Sequence, residues 1–283
     1  MAEWIMTIDI EKCENCNNCF LSCKDEHYDN DWPPYTLAQP RHGHRWMNIH
    51  RNEQGSFPHI GVSYMPRPCF HCADPPCVKK ALNGEIYQRP DGIVIVDPER
   101  SKGREDLVQA CPHRAIWWNS ENQTPQKCTL CAHLLDGGWQ QPRCTQTCPT
   151  GALTFQKHVG DDLQAHIRLN GLKRIDHPET ELSLKGPVVF YKNLDTFNSC
   201  FIAGSVATGE QSVQECIEGE TVALYRDGVL IGREKTDAFG DFRFSCLPGK
   251  SNAYEIKVGG KEKEPVRRQV HLPPSCSVGT IWV

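Results

Sequence analysis

Cys13-Glu-Asn-Cys16-Asn-Asn-Cys19-Phe-Leu-Ser-Cys23 is a C-x2-C-x2-C-x3-C run. Three thiols at this spacing reach three irons of one [4Fe–4S] cube, and the fourth, carried off by a further turn of chain, ligates a neighbouring cube. The run therefore predicts other motifs downstream that complete an exchange of ligands. They are present as Cys69-Phe-His-Cys72-Ala-Asp-Pro-Pro-Cys77, Cys111-Pro112, Cys128-Thr-Leu-Cys131 and Cys144-Thr-Gln-Thr-Cys148-Pro149. Twelve of the 16 cysteines lie at or before position 148, the number that three cubes need. The exchange rule assigns them. Cys13, Cys16 and Cys19 hold a first cluster closed by Cys148. Cys128, Cys131 and Cys144 hold a second closed by Cys23. Cys69, Cys72 and Cys77 hold a third closed by Cys111.

Zinc also uses C-x2-C pairs, but it has no use for the third close cysteine of the first run or for the isolated Cys-Pro partners. Disulfides suit small secreted chains. This chain has 283 residues, room for two cores, and its start, MAEWIMTIDI, predicts no export signal of its own. Export bound to a partner remains open, and the location expected is cytoplasmic. The net charge of −4 gives no pull toward nucleic acid. No apolar run approaches a membrane span. No nucleophile–base pair, phosphate loop or protease signature occurs, so no catalytic residue is assigned and a carrier role is expected.

The sequence predicts a short strand over 4–12 and a helical turn that carries Cys23 away from Cys19. A long insert over 25–68 is expected to be irregular. Residues 85–97 read as a hairpin around Arg89-Pro90-Asp91-Gly92. Ser101 is expected to cap a short helix through Ala110, followed by a strand at 115–118. A helical segment near 161–169 leads into a polar linker. From 187 the pattern becomes short β runs, near 201–207, 221–226, 229–235, 241–246, 253–258, 265–271 and 277–283. Asp227-Gly228 is a hairpin signal between the second and third. These seven strands suggest a sandwich domain over 187–283, after an iron–sulfur region over 1–186 built of two interleaved cluster-binding subdomains.

The cysteine frame resembles the iron–sulfur subunits of dimethyl sulfoxide reductase-family molybdopterin oxidoreductases. Typical members have four motifs of four cysteines, holding four clusters in two ferredoxin-like domains. Here Ala81, Ser101, Arg104 and Leu107 stand where one cluster's four ligands would be, so one cluster is lost whole and three remain. The stretches CNNCF (16–20), HRWMNI (44–49), DGIVIVDPE (91–99), QKCTLCAHLLD (126–136) and YKNL (191–194) are similar to a narrower branch, the small subunits of pyrogallol–phloroglucinol transhydroxylases. The related resorcinol hydroxylase small subunits fit about as well. The resemblance implies an α+β chain: tandem ferredoxin-like [4Fe–4S] domains, then an all-β transthyretin-like or carboxypeptidase-regulatory-like sandwich. It further implies a large partner subunit, in a heterodimer or higher assembly, that carries bis-molybdopterin guanine dinucleotide and acts on phenolic rings in anaerobic metabolism. The alternatives are a free-standing polyferredoxin whose β domain binds partners, and an electron-transfer subunit for a non-aromatic substrate.

Other residues have a plain reading beside a sharper one. Cys200, Cys216, Cys246 and Cys276 are read as reduced, mostly buried thiols, against a further metal site or disulfides. The basic stretch Arg41, His42, His44, Arg45, His50 and Arg51 is read as a solvated or partner-facing loop, against a surface meeting pterin phosphates. His71 and His133 lie inside cysteine motifs as possible hydrogen-bond donors to sulfur, not as ligands. Trp117 and Trp118 are expected to pack rather than to relay electrons.

Overall fold

The computed structural model describes residues 2–159, 162–175, 188–209, 215–248, 252–259 and 265–283. The chain divides into two compact units, Met1–His50 with Tyr64–Leu194, and Arg51–Ser63 with Asp195–Val283.

In the first unit, β1 (Ala2–Asp9) is followed by a 3-10 turn at Ile10–Lys12, which Asp9 caps by accepting the Glu11 N–H. Helix α1 (Asn18–His27) carries both Cys19 and Cys23, as the spacing predicts. The insert over 25–68 is not irregular throughout. It holds β2 (Asn48–Ser56) and β3 (His59–Arg67), which pair with each other. Their tip belongs to the second unit. There Asn52 Nδ2 donates to the Phe197 carbonyl at 2.6 Å and Gln54 Nε2 to that of Ser199 at 3.1 Å. The partners of these polar side chains lie 145 residues away, so the local pattern could not reveal a strand.

Next come α2 (Pro76–Lys80) and the predicted hairpin, β4 (Ile86–Gln88) with β5 (Val94–Val96), turning at Gly92 with φ +82°. Ser101 does not cap a helix. It is buried in a turn, donating its hydroxyl to the Asp97 carbonyl at 2.5 Å, and the helical segment is a 3-10 turn at Glu105–Ala110. The strand β6 (Trp117–Asn119) pairs with β7 (Thr124–Gln126). Then follow α3 (Ala132–Asp136), α4 (Arg143–Gln146), β8 (Leu153–Val159), α5 (Asp162–Leu169) and β9 (Val188–Lys192). The expected linker falls mostly on 176–187, outside the described residues. β1 is the central strand between β8, antiparallel, and β9, parallel. Ile5 packs on one face with Ile167, Leu172 and Phe190, and Met6 and Ile8, which point to the other face, are buried as well, so both faces of β1 are covered. The strand at 188–192 thus belongs with the first unit.

The C-terminal part of the second unit opens with α6 (Leu194–Asn198). All seven predicted strands form: β10 (Cys200–Thr208), β12 (Thr221–Arg226), β13 (Val229–Lys235), β14 (Asp241–Leu247), β15 (Asn252–Val258), β16 (Val266–Leu272) and β17 (Cys276–Trp282). A two-residue β11 (Glu215–Cys216) joins them. One sheet places β10 against β11, β14 and β17, and the other runs β13-β12-β15-β16. Asp227 and Gly228 both take positive φ, 52° and 78°, the hairpin geometry the dipeptide signals. Ile202, Phe244, Leu224 and Ile256, two from each sheet, share one core. Cys200 lies inside this core and Cys276 packs against it, whereas Cys216 and Cys246 are exposed, contrary to the expectation of burial. Among the described residues no helix is long and apolar enough to cross a membrane.

Candidate iron–sulfur centre

The β1–β8 ladder brings Ile8 opposite Leu153, and Asp9 N–H donates to the Ala152 carbonyl at 2.8 Å. The chain entering Cys13 and the chain leaving Cys148 are therefore side by side. The Cys13 thiol is pushed up by burial, and the charges of Cys148 and Cys16 add to that. Cys19 is pushed up to about 12 by burial, with Cys13, Cys16 and Cys148 contributing.

On α1, Cys19 and Cys23 are one turn apart and face neighbouring sets of thiols. Helix α4, which carries Cys144, packs on α1. Thr147 Oγ1 donates to Ser22 Oγ at 2.9 Å, and Glu26 bonds Arg143 at 3.1 Å and His133 at 3.0 Å. Burial raises the Cys23 thiol most, followed by the charges of Cys128 and Cys131. Cys144 is raised by burial and then by Cys131, Cys128 and Cys23. The fourth cysteine of the first run thus stands with the last motif.

Cys69, Cys72, Cys77 and Cys111 together line one small cavity, with Phe70, Pro112, Ile116 and two buried polar residues, His71 and Lys127, in its wall. Among the described residues no three His, Cys, Asp or Glu side chains are placed to hold a single metal ion. This set of four thiols surrounds a cavity instead, a donor set that fits a cluster of several irons.

Local backbone shape supports the same use. The residue before the second cysteine is left-handed in three of the four C-x2-C pairs, Asn15 at φ 56°, His71 at 46° and Leu130 at 54°; in the pair Cys16–Cys19 it is Asn17, at φ 62°, that takes this shape. That reversal turns backbone N–H groups toward sulfur; Leu130 N–H donates to Cys128 Sγ at 3.4 Å. The two isolated cysteines share a second device. Each is followed by proline and, three residues on, by a left-handed residue, Arg114 at φ 55° and Gly151 at φ 64°. Ala115 N–H then reaches Cys111 Sγ, and Leu153 N–H reaches Cys148 Sγ, both at 3.4 Å. Donors of this kind stabilise thiolate.

The four positions where the sequence lacks the cysteines of typical relatives are filled differently. Ala81 and Leu107 are buried in an apolar core with Ile86, Val96 and Ile116. Arg104 pairs with Glu85 and Asp106.

The basic stretch is divided. His44 Nε2 is 2.9 Å from the Trp118 carbonyl, and its ring packs near Trp117. Arg45 donates to Asn17 and lies 4.0 Å over the Phe20 ring. Arg51 pairs with Glu53, and His50 is half-buried in β2. Only Arg41 and His42 line an open groove, with Leu21, Tyr28 and Lys24 of the α1 side. Lys127 escaped sequence reasoning; the one signal for it is its place immediately before a C-x2-C pair.

A family model described as a 4Fe-4S dicluster domain matches residues 60–158. The chain is 42% identical over 265 residues to the pyrogallol hydroxytransferase small subunit of Pelobacter acidigallici, covering 92% of this chain and 93% of that one. It is 34% identical over 197 residues to a subunit of the tetrathionate reductase of Salmonella typhimurium, with 68% and 73% covered. The iron–sulfur subunit of the arsenate respiratory reductase of a Shewanella species is 26% identical over 239 residues, with 66% and 94% covered. Cysteine frame, fold and relatives agree: the chain belongs to the iron–sulfur subunits of dimethyl sulfoxide reductase-family molybdopterin oxidoreductases, in which it is a non-catalytic electron-transfer subunit.

Proposed function

We propose that the chain holds three [4Fe–4S] clusters and serves a molybdopterin-containing catalytic subunit that hydroxylates phenolic rings or moves hydroxyl groups between them. The ligand sets are Cys13, Cys16, Cys19 and Cys148; Cys23, Cys128, Cys131 and Cys144; and Cys69, Cys72, Cys77 and Cys111. The observation that carries the count is the contrast between two places: a cavity walled by four cysteines, and an apolar core where Ala81 and Leu107 replace the ligands of a fourth cluster. The phenolic substrate rests on the 42% identity to a pyrogallol hydroxytransferase small subunit.

When bound, the clusters supply one-electron storage and transfer; the chain's own part is to place thiolates, N–H donors and charge around them. The groove beside α1 is the face assigned to the catalytic subunit. It exposes Leu21 and Tyr28 beside Arg41 and His42, next to the helix that carries Cys19 and Cys23. The assembly is read as cytoplasmic and the second unit as a transthyretin-like sandwich that helps hold the partner. The test is purification under anaerobic conditions through a tag on this chain, followed by molybdenum analysis and addition of phenols. About one molybdenum per chain, with a phenol changing the cluster spectrum, supports the reading. Clusters without molybdenum would replace it with a free carrier.

A further inference from the structure

Lys127 is 2% exposed, with its Nζ donating to the backbone carbonyls of Val94 and Cys128, the latter at 3.0 Å. Among the described residues no carboxylate pairs with it. A buried cation without a counter-charge is strongly destabilising. Lys127 lines the cavity of the third set of thiols. The anion available to it is therefore the thiolate-bound group in that cavity.

His71 completes the arrangement. It is 1% exposed, between Cys69 and Cys72, and its Nδ1 accepts the Val94 N–H at 3.1 Å. A neutral ring that accepts at Nδ1 carries its proton on Nε2. That Nε2 is buried and has no partner among the described residues, in a ring that lines the same cavity. One residue, Val94, thus fixes both side chains, its N–H holding the imidazole and its carbonyl holding the ammonium.

We propose that Lys127, assisted by the Nε2–H donor of His71, is the counter-charge that raises the reduction potential of the cluster on Cys69, Cys72, Cys77 and Cys111. Each added electron increases the negative charge of such a group, so a fixed neighbouring cation and an N–H donor favour the reduced state. That cluster would then be the favoured place for an added electron. Lys127 also touches the second set through the Cys128 carbonyl, but the other cations near that set are placed otherwise: Arg143 is paired with Glu26, and Lys24 is half-buried. The inference rests on the three-cluster reading.

The experiment is a redox titration followed by electron paramagnetic resonance, on the intact anaerobic complex, with dithionite as reductant and ferricyanide as oxidant. The samples are wild type, Lys127→Gln, His71→Phe and, to identify the signal, Cys111→Ala. At fixed ambient potential, Lys127→Gln lowers the reduced-to-oxidised ratio of the cluster missing from Cys111→Ala tenfold or more, about 59 mV for a one-electron couple. The cluster lost in Cys23→Ala shifts less and the first set is unchanged. His71→Phe lowers the same signal by a smaller factor. An unchanged midpoint in Lys127→Gln with full iron overturns the inference. If Lys127→Gln drops that cluster's iron, His71→Phe decides: a lowered midpoint supports the inference and an unchanged one overturns it. If Cys111→Ala removes no cluster, or wild type holds fewer than three, the underlying reading fails instead.

Discussion

Leu107→Ala tests the proposal that a packed apolar core stands where a fourth cluster would otherwise be held. Leu107 is 0% exposed and packs with Ala81, Ile86, Val96, Ala110 and Ile116. The substitution removes three carbon atoms, about 2.4 kcal/mol of transfer free energy at ~0.8 kcal/mol per methylene. The residual cavity adds up to ~2 kcal/mol when its walls cannot close. Here one wall is the β4–β5 ladder, fixed by cross-strand bonds at Ile86↔Val96 and Gln88↔Val94, so collapse is limited. The expected loss is about 3–4 kcal/mol. At roughly 2–4 °C per kcal/mol for a chain of this size, the apparent Tm falls by about 10 °C. Unfolding of a cluster protein is irreversible, so wild type and variant are compared at one scan rate, with iron measured before heating. Iron stays at the wild-type value. A variant that keeps its Tm, or loses about four irons at unchanged Tm, would refute the view that this place is a packed apolar core.

Cys23→Ala removes the cluster on Cys128, Cys131 and Cys144 and leaves the one on Cys13, Cys16 and Cys19; spectroscopy finding the reverse would dismantle the exchange of ligands. Burial holds His27 neutral, pushing it down to about 3, with the charges of His133 and Lys24 adding to the effect. The unfolded chain takes up that proton near pH 6.5, so the contribution is present above pH 6.5 and lost as pH falls toward 3. Between pH 6.5 and 5 the loss is about 2 kcal/mol, and His27→Phe flattens the pH dependence of denaturation by that amount. Gly240 has φ +76°, and a Cβ there would stand 2.5 Å from the Val206 carbonyl oxygen. Gly240→Ala therefore lowers the stability of the complex to denaturant by about 2–4 kcal/mol with iron unchanged.

The helical turn after Cys19 was legible because motif spacing is a local constraint: α1 carries Cys23 one turn past Cys19. The Asp227-Gly228 and Arg89–Gly92 turns were legible for the same reason, since turn chemistry is written in adjacent residues. What failed was non-local. The strands β2 and β3 read as polar insert because Asn52 and Gln54 are satisfied by Phe197 and Ser199. Strand β9 joins the N-terminal sheet across more than 180 residues, pairing Val188 with Ile5. Ser101 looked like a cap, but its hydroxyl turns back to Asp97 and the helical turn starts later. Lys127 was invisible because a lysine reads as surface until its burial against Val94 is seen.

The central claim is three clusters on twelve cysteines. Its most direct test is iron per chain in the anaerobically purified complex, counted with the fully reduced spectrum and corrected for iron held by the catalytic subunit. The account predicts about 12 iron on this chain, at four per cube, and three distinct cluster signals. About 8 iron with two signals, or about 16 with four, would contradict it.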